Sequence, residues 1–360
     1  MPNRELARLR LVAQGLVARR YESPVEAVRA FAAMQGQDLP GVLASAALRS
    51  TGSFGDVVAA LDDGALVRGY PMRGTVFLTP ASDLLWMTEL MAGASLRAAA
   101  QRRSQLHLDE DQIGRSAHVI ADALRDAPRG LGRAEVHAAL EAAGLAPGGG
   151  RGYHVLFTLM ARGVLCYGPW NGSDQNIVAT NSWLPTGTTL GQRFNGDQVA
   201  ATAELMGRYF TSRGPATVRD FAWWSKVSLA RCRAALPLTA DLEVLPGDEP
   251  HYVRAGLADE VVALGRAIAR PLLLPGFDEY ILGYQDRLFA MTEEQHAQLV
   301  PGNNGVFRKS IVVGGLVKGF WAAKGRPGRR TLVVEPFTPL AATTDVAVRR
   351  RFASYPHPTA

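Results

Sequence analysis

The chain has 360 residues, is 47% hydrophobic and 20% charged, and carries a formal net charge of +6. That balance excludes a disordered chain and gives enough length for roughly two to four modules with their own cores. No apolar run approaches the roughly 18 residues of a membrane span, and Cys166 and Cys232 are too few for a disulfide framework.

The N-terminal residues mix charges into a helical pattern and lack the apolar stretch of a secretion signal. The cytoplasm, at the nucleoid, is the expected location. The positive charge is uneven: residues 301–360 hold ten Lys and Arg against two acids, Glu335 and Asp345. A localised basic face suits a polyanion such as nucleic acid. A solvated, arginine-rich surface is the plainer alternative.

Ser23-Pro24-Val25-Glu26 reads as a capping box with Pro at the first helical position. Val25, Val28, Phe31 and Ala32 mark one face of the helix that follows. Gly36 and Pro40 stop it, which puts Gln35 and Gln37 at its C-terminus or in the next turn. Residues 65–70 and 74–78 are short strand-like runs. Helices followed by a short ribbon then recur: helical patterns at 117–125, 133–143 and 155–162 precede strand-like runs at 164–167 and 177–179.

A third such group begins near Gln198. Residues 200–213 are helical, Gly214-Pro215 is a turn, and Thr217 to Asp220 is a further capping box leading into Trp223-Trp224. One tryptophan of that pair belongs to a core; the other is left open. From Asp241 the period shortens. Leu242–Leu245, 261–264, Leu272–Leu274, Ser310–Val313, 316–321 and 331–334 read as strands. Gly314-Gly315 makes a hairpin turn, and 356–360 is expected to fray. The C-terminal third is thus a mainly antiparallel sheet or barrel.

The usual catalytic inventory is thin. The seven histidines are scattered without metal-ligand spacing, so no metal is expected. There is no nucleophile elbow, phosphate loop or dinucleotide fingerprint, so no cofactor is expected either.

Four stretches carry a resemblance: Met34-Gln35-Gly36-Gln37-Asp38, Met72-Arg73-Gly74-Thr75-Val76-Phe77-Leu78, Gly214-Pro215-Ala216-Thr217 with Asp220-Phe221-Ala222-Trp223-Trp224-Ser225, and Leu274-Pro275-Gly276-Phe277-Asp278 with Asp286-Arg287. Together and in this order they resemble the bacterial AlkZ/YcaQ family, winged-helix proteins that include DNA glycosylases for bulky alkylpurines and interstrand crosslinks. The resemblance implies an α+β chain with three tandem winged-helix modules and a C-terminal β-rich, barrel-like domain around a concave DNA channel. The boundaries follow as 1–105, 106–190, 191–260 and 261–360. It also implies a catalytic Gln-x-Gln motif, here Gln35 and Gln37. Two positions depart from the family: Gly36 stands where an aliphatic or small residue is usual, and Phe77 where a histidine is.

Amides cannot trade protons at neutral pH, so two glutamines can only orient and polarise. A purine alkylated at N7 or N3 is already a cationic leaving group and needs no general acid. In this reading Gln37 holds the attacking water, and Gln35 orients it or contacts the deoxyribose. Asp38 is either a rival base or, with Asp278, a supporting anchor; Asp278 alternatively orders the loop of Arg287. The expected product is an abasic site. Candidate DNA contacts are Arg73 and Thr75 beside the first ribbon, Arg287, Arg308 and Lys309, and Lys318 and Trp321 on the Gly314-Gly315 hairpin. The expected partner is double-stranded DNA with alkylated purines, bound by a monomer with no membrane involved. The alternative is a non-enzymatic winged-helix regulator.

Overall fold

The computed structural model describes residues 2–358 apart from 240, 248, 304, 327 and 328. The chain is an α+β protein that forms two compact units, residues 1–57 with 202–360, and residues 58–201. Among the described residues no helix is long and apolar enough to cross a membrane.

In the unit of residues 58–201, helices Glu110–Arg125, Arg133–Ala142 and Arg151–Ala161 precede strands Leu165–Trp170 and Gln175–Ala179. Asp109 starts the first helix by accepting from the Gln112 N–H at 2.8 Å. Ile113, Ile120, Val136 and Leu140 recur at helical spacing and fill one core with Val155 and Leu159. The ribbon is antiparallel, with Cys166 opposite Val178 and Tyr167 opposite Ile177. Strands Thr75–Pro80, Leu66–Met72, Leu165–Trp170 and Gln175–Ala179 lie side by side in that order. The first two are joined by Arg73-Gly74, both at positive φ, the mirror-image turn whose twist suits a hairpin.

In the other unit, Ser23 Oγ accepts from the Glu26 N–H at 3.2 Å and starts helix Pro24–Phe31. The reciprocal half of the box is displaced, because the Glu26 carboxylate accepts from the Glu22 N–H. Helices Val218–Ser225 and Leu229–Ala235 lead to an antiparallel ribbon, Leu242–Leu245 with His251–Arg254. Thr217 and Asp220 cap each other reciprocally, as their spacing predicted. Trp224 is fully buried and Trp223 half-buried.

Residues 261–264, expected as a strand, lie in helix Leu257–Leu264. Asp259 and Glu260 sit in its first turn, where the helix dipole favours acids. Leu257 anchors it in the core while Val262 is exposed.

The C-terminal sheet is antiparallel, in the order Thr331–Pro336, Leu316–Lys324, Ser310–Val313, Leu272–Leu274. Gly314 and Gly315 make its predicted tight turn, with Leu316 opposite Val313. The sheet stays open, so the barrel-like closure does not form: among the described residues no pairing joins the first and last of these strands. A helix that sequence did not reveal, Ala342–Ala353, packs against the Leu272–Leu274 edge. Its Val348 and Phe352 cover Ile311 and Trp321. The tail behind it is docked rather than frayed as far as Pro358, whose carbonyl accepts from Arg330 Nη1 at 2.9 Å. Residues 359 and 360 of that predicted tail lie outside the described residues.

Candidate functional site around Gln35 and Gln37

Helix Pro24–Phe31 ends at Ala32, which adopts φ 60°. Gln35 therefore lies past the helix end, in the short extended segment Met34–Gln35. Asp38 then starts helix Leu39–Arg49. Gln35 is buried at 3% exposure, whereas Gln37 is exposed. The Gln35 Nε2 donates to Gln37 Oε1 at 2.8 Å. The Gln35 Oε1 is buried and has no hydrogen-bond partner among the described residues.

The backbone around Gln35 is clamped from two directions. Its N–H donates to Glu279 Oε1 at 2.7 Å. Glu279 Oε2 in turn accepts from Arg213 Nε at 3.0 Å and Nη2 at 2.7 Å. Arg213 also donates to the carbonyls of Phe31 at 3.0 Å and Ala33 at 2.8 Å. One planar guanidinium thus ties the helix end, the segment before Gln35 and the carboxylate that holds Gln35, a use of five fixed donors that lysine could not copy. Sequence reasoning missed both residues. Arg213 stood directly before the Gly214-Pro215 turn, and Glu279 directly after the Phe277-Asp278 stretch.

A second buried pair anchors Glu279 from behind. Arg49 donates to the two Asp278 oxygens at 2.8 and 2.9 Å. Ser45 Oγ and the Tyr280 N–H also donate to that carboxylate, at 2.5 and 2.8 Å. Burial pushes the Asp278 pKa up, but Arg49 and these donors outweigh it and hold it below the usual aspartate value. The ion-pair partner of Asp278 is therefore Arg49. Gln14 links the two pairs: its Oε1 accepts from Arg49 at 2.6 Å and its Nε2 donates to the Glu279 carbonyl at 3.2 Å.

Asp38 is half-buried, and its carboxylate takes no hydrogen bond or ion pair among the described residues. It folds over Gly41, where a Cβ would come within 2.5 Å of its Oδ2. Gly276 is equally constrained, since a Cβ there would meet the Phe307 carbonyl at 2.6 Å, with Asp38 Oδ2 at 3.8 Å. These close approaches set the 276–277 loop beside Asp38.

That loop opens a row of half-buried aromatics. The Phe277 and Phe307 ring centroids are 5.6 Å apart. The Arg287 guanidinium lies 5.0 Å from the Phe307 ring centre and 5.4 Å from that of Trp223. Lys226 Nζ lies 5.4 Å from the Trp223 ring centre. Of this row only Arg287 was singled out as a contact residue from sequence.

The remaining predicted contacts scatter. Arg308 pairs with Glu335 and lies 4.0 Å from the Phe320 ring centre. Lys309 Nζ is 5.1 Å from the ring centre of Trp321. Lys318 is half-buried on strand Leu316–Lys324. Trp321 is not a surface residue: it is 4% exposed, its Nε1 donates to the Leu274 carbonyl at 2.9 Å, and its ring packs on Tyr355 at 4.7 Å. The terminal helix covers the face on which a contact role was expected. Arg73 and Thr75 belong to the other unit, at and just after the hairpin turn, with Arg73 5.9 Å from the ring centre of the fully buried Phe77.

The chain matches the family described as DNA glycosylase AlkZ-like over residues 28–356. An interstrand DNA cross-link repair glycosylase from Streptomyces sahachiroi is 28% identical over 188 residues, 51% of this chain and 48% of that protein. The aligned region thus spans about half the relative's length. The solved structure of Streptomyces sahachiroi DNA glycosylase AlkZ has a TM-score of 0.73 and 22% identity, covering 100% of both chains. That likeness is one of fold. The family match takes in the glutamine motif, both buried arginine–carboxylate pairs and the C-terminal sheet, and on it this chain belongs to the AlkZ-like DNA glycosylase family.

Proposed function

We propose that the protein is a monofunctional DNA glycosylase that hydrolyses the N-glycosidic bond of cationic purines alkylated at N7 or N3. The observation that carries this reading is the Gln35 Nε2 to Gln37 Oε1 hydrogen bond at 2.8 Å, between a buried and an exposed side chain. Gln35, fixed by Glu279 and Arg213, is the positioning residue. Gln37 is the catalytic residue, its carbonyl oriented by that bond and still open to solvent on its other lone pair, where it holds the attacking water. Water held in line supplies its rate by proximity, and the carbonyl dipole favours the positive charge that develops on the sugar. The alkylated base departs neutral, so no general acid is required. The product is an abasic site.

Asp38 supports a second version of the same chemistry. Its carboxylate has no partner among the described residues and sits next to Gln37, where it would accept the proton of the water that Gln37 orients. The half-buried Phe277, Phe307 and Trp223 offer faces on which an unstacked base would rest. The substrate range extends to bulky adducts and interstrand crosslinks, in keeping with the name of the Streptomyces relative.

The protein acts as a monomer on double-stranded DNA, through three winged-helix modules (1–105, 106–190, 191–260) and a β-rich module (261–360). The recurrence of helices followed by a ribbon supports that division. Arg287, Arg308, Lys309, Lys318, Arg73 and Thr75 are the proposed DNA contacts.

Release of 7-methylguanine from a methylated duplex tests the reading. Wild-type protein should release it and leave alkali-labile sites, and the Gln35→Ala, Gln37→Ala double variant should bind the duplex but release the base at least about a hundredfold more slowly. Undiminished release by the double variant overturns the assignment. Duplex binding by the wild type with no alkali-labile site favours a regulator.

A further inference from the structure

A recess of about 370 Å³ is lined by three arginines, Arg19, Arg270 and Arg351, and by apolar side chains that include Leu16, Leu48 and Leu272. No acidic residue lines it, and among the described residues no carboxylate pairs with any of the three. Arg19 and Arg270 are exposed and Arg351 is half-buried, whereas the buried arginines of this unit are each paired: Arg49 with Asp278, Arg213 with Glu279, Arg10 with Asp220 at 3.6 Å, and Arg254 with Glu260. Burial, together with the charges of Arg19 and Arg270, lowers the Arg351 pKa from its ordinary value. The one hydrogen bond of the Arg351 guanidinium among the described residues runs from Nε to the Pro271 carbonyl at 3.2 Å. That bond orients the guanidinium and leaves both Nη groups without an acceptor among the described residues. Three like charges line one recess with no acid among them, a setting that favours an anion, and arginine forks match tetrahedral oxyanions best.

We propose that this recess binds the phosphate of an organic phosphate, with the guanidinium groups on its oxygens and the leucine wall against its carbon portion. The phosphate comes either from a free small molecule or from a nucleic-acid backbone, and the experiment separates the two. Calorimetric titrations of the full chain with inorganic pyrophosphate, and separately with a short unmodified duplex, are run on wild type, Arg270→Gln and Arg351→Gln. Arg270 is exposed, so its variant tests the site even where Arg351→Gln lowers stability.

Saturable pyrophosphate binding weakened about tenfold or more by either substitution establishes a free-phosphate site. That arm is independent of any glycosylase activity. Absence of pyrophosphate binding, with duplex affinity reduced and its salt dependence made shallower by either substitution, establishes a backbone-phosphate site. Affinities for both ligands unchanged by both substitutions, or no binding of either ligand, overturn the proposal.

Discussion

The backbone N–H of Gln35 donates to Glu279 Oε1 at 2.7 Å, across 244 positions of sequence. The other oxygen of that carboxylate takes two donors from Arg213, and both side chains are almost fully enclosed. A buried charge pair from distant sequence therefore helps to hold the segment that carries the glutamine motif. A buried pair of this kind adds little net stability over an apolar pair, yet losing one partner is costly because the other charge stays behind.

Glu279→Gln keeps the shape and removes the charge, leaving Arg213 enclosed without its carboxylate. Urea unfolding should show a loss of about 3–5 kcal/mol. A loss within the scatter of surface substitutions would mean that the clamp on Gln35 is not held by charge.

Positioning and catalysis separate in kinetics. Gln37→Ala should lower kcat for 7-methylguanine release by about a hundredfold with little change in KM, the scale of losing one preorganised polar group. Gln35→Ala should lower kcat in the same way, and the double variant should fall little further than Gln37→Ala alone, because the two amides act as one unit. Asp38→Asn discriminates the two versions of the chemistry. If Asp38 takes the water proton, the variant loses most of its rate; if the amides suffice, the rate stays close to wild type.

The Arg49–Asp278 pair predicts the acid side of the stability curve. Asp278 has a lower pKa in the folded protein than the ordinary value of 3.8. The unfolded chain therefore binds the extra proton first, and stability falls as pH drops. The contribution is fully present above the unfolded value and is lost as pH falls through the lower folded one. Melting temperature followed from about pH 5 downward should decline steeply in wild type. Asp278→Asn should start less stable and decline less steeply over that range. An unchanged slope would show that Asp278 does not couple folding to protons.

Basic residues near the C-terminus should differ in their effect on DNA binding. Lys318→Gln should weaken binding uniformly across sequences and reduce the salt slope by about one. Arg308→Gln should reduce it less, because Glu335 already offsets that charge. Trp321→Phe should leave duplex affinity unchanged while lowering stability by about 1–2 kcal/mol, since the Leu274 carbonyl loses its buried donor. A loss of DNA affinity in Trp321→Phe without a loss of stability would return Trp321 to the binding surface.

Sequence alone determined the features whose partners lie a few residues apart. Ser23 with Glu26, Thr217 with Asp220, and the Gly314-Gly315 turn are set by bonds that close within three or four positions, so a local pattern reveals them. The Gln35 and Gln37 pair was legible for the same reason and through its resemblance to a family motif. Residues 261–264 went astray because an apolar, β-branched run fits a strand as well as a helix. The packing of Leu257 and the acids of the first turn decided between them. Only tertiary structure picked Arg213, Arg49, Asp278 and Glu279 as the frame of the site, enclosed Trp321 beneath the terminal helix, and gathered Arg19, Arg270 and Arg351 into one recess. In a chain with 39 Lys and Arg, nothing local marks which arginine will be buried against which carboxylate. That selection is made when distant segments meet and desolvation requires each enclosed charge to find a partner.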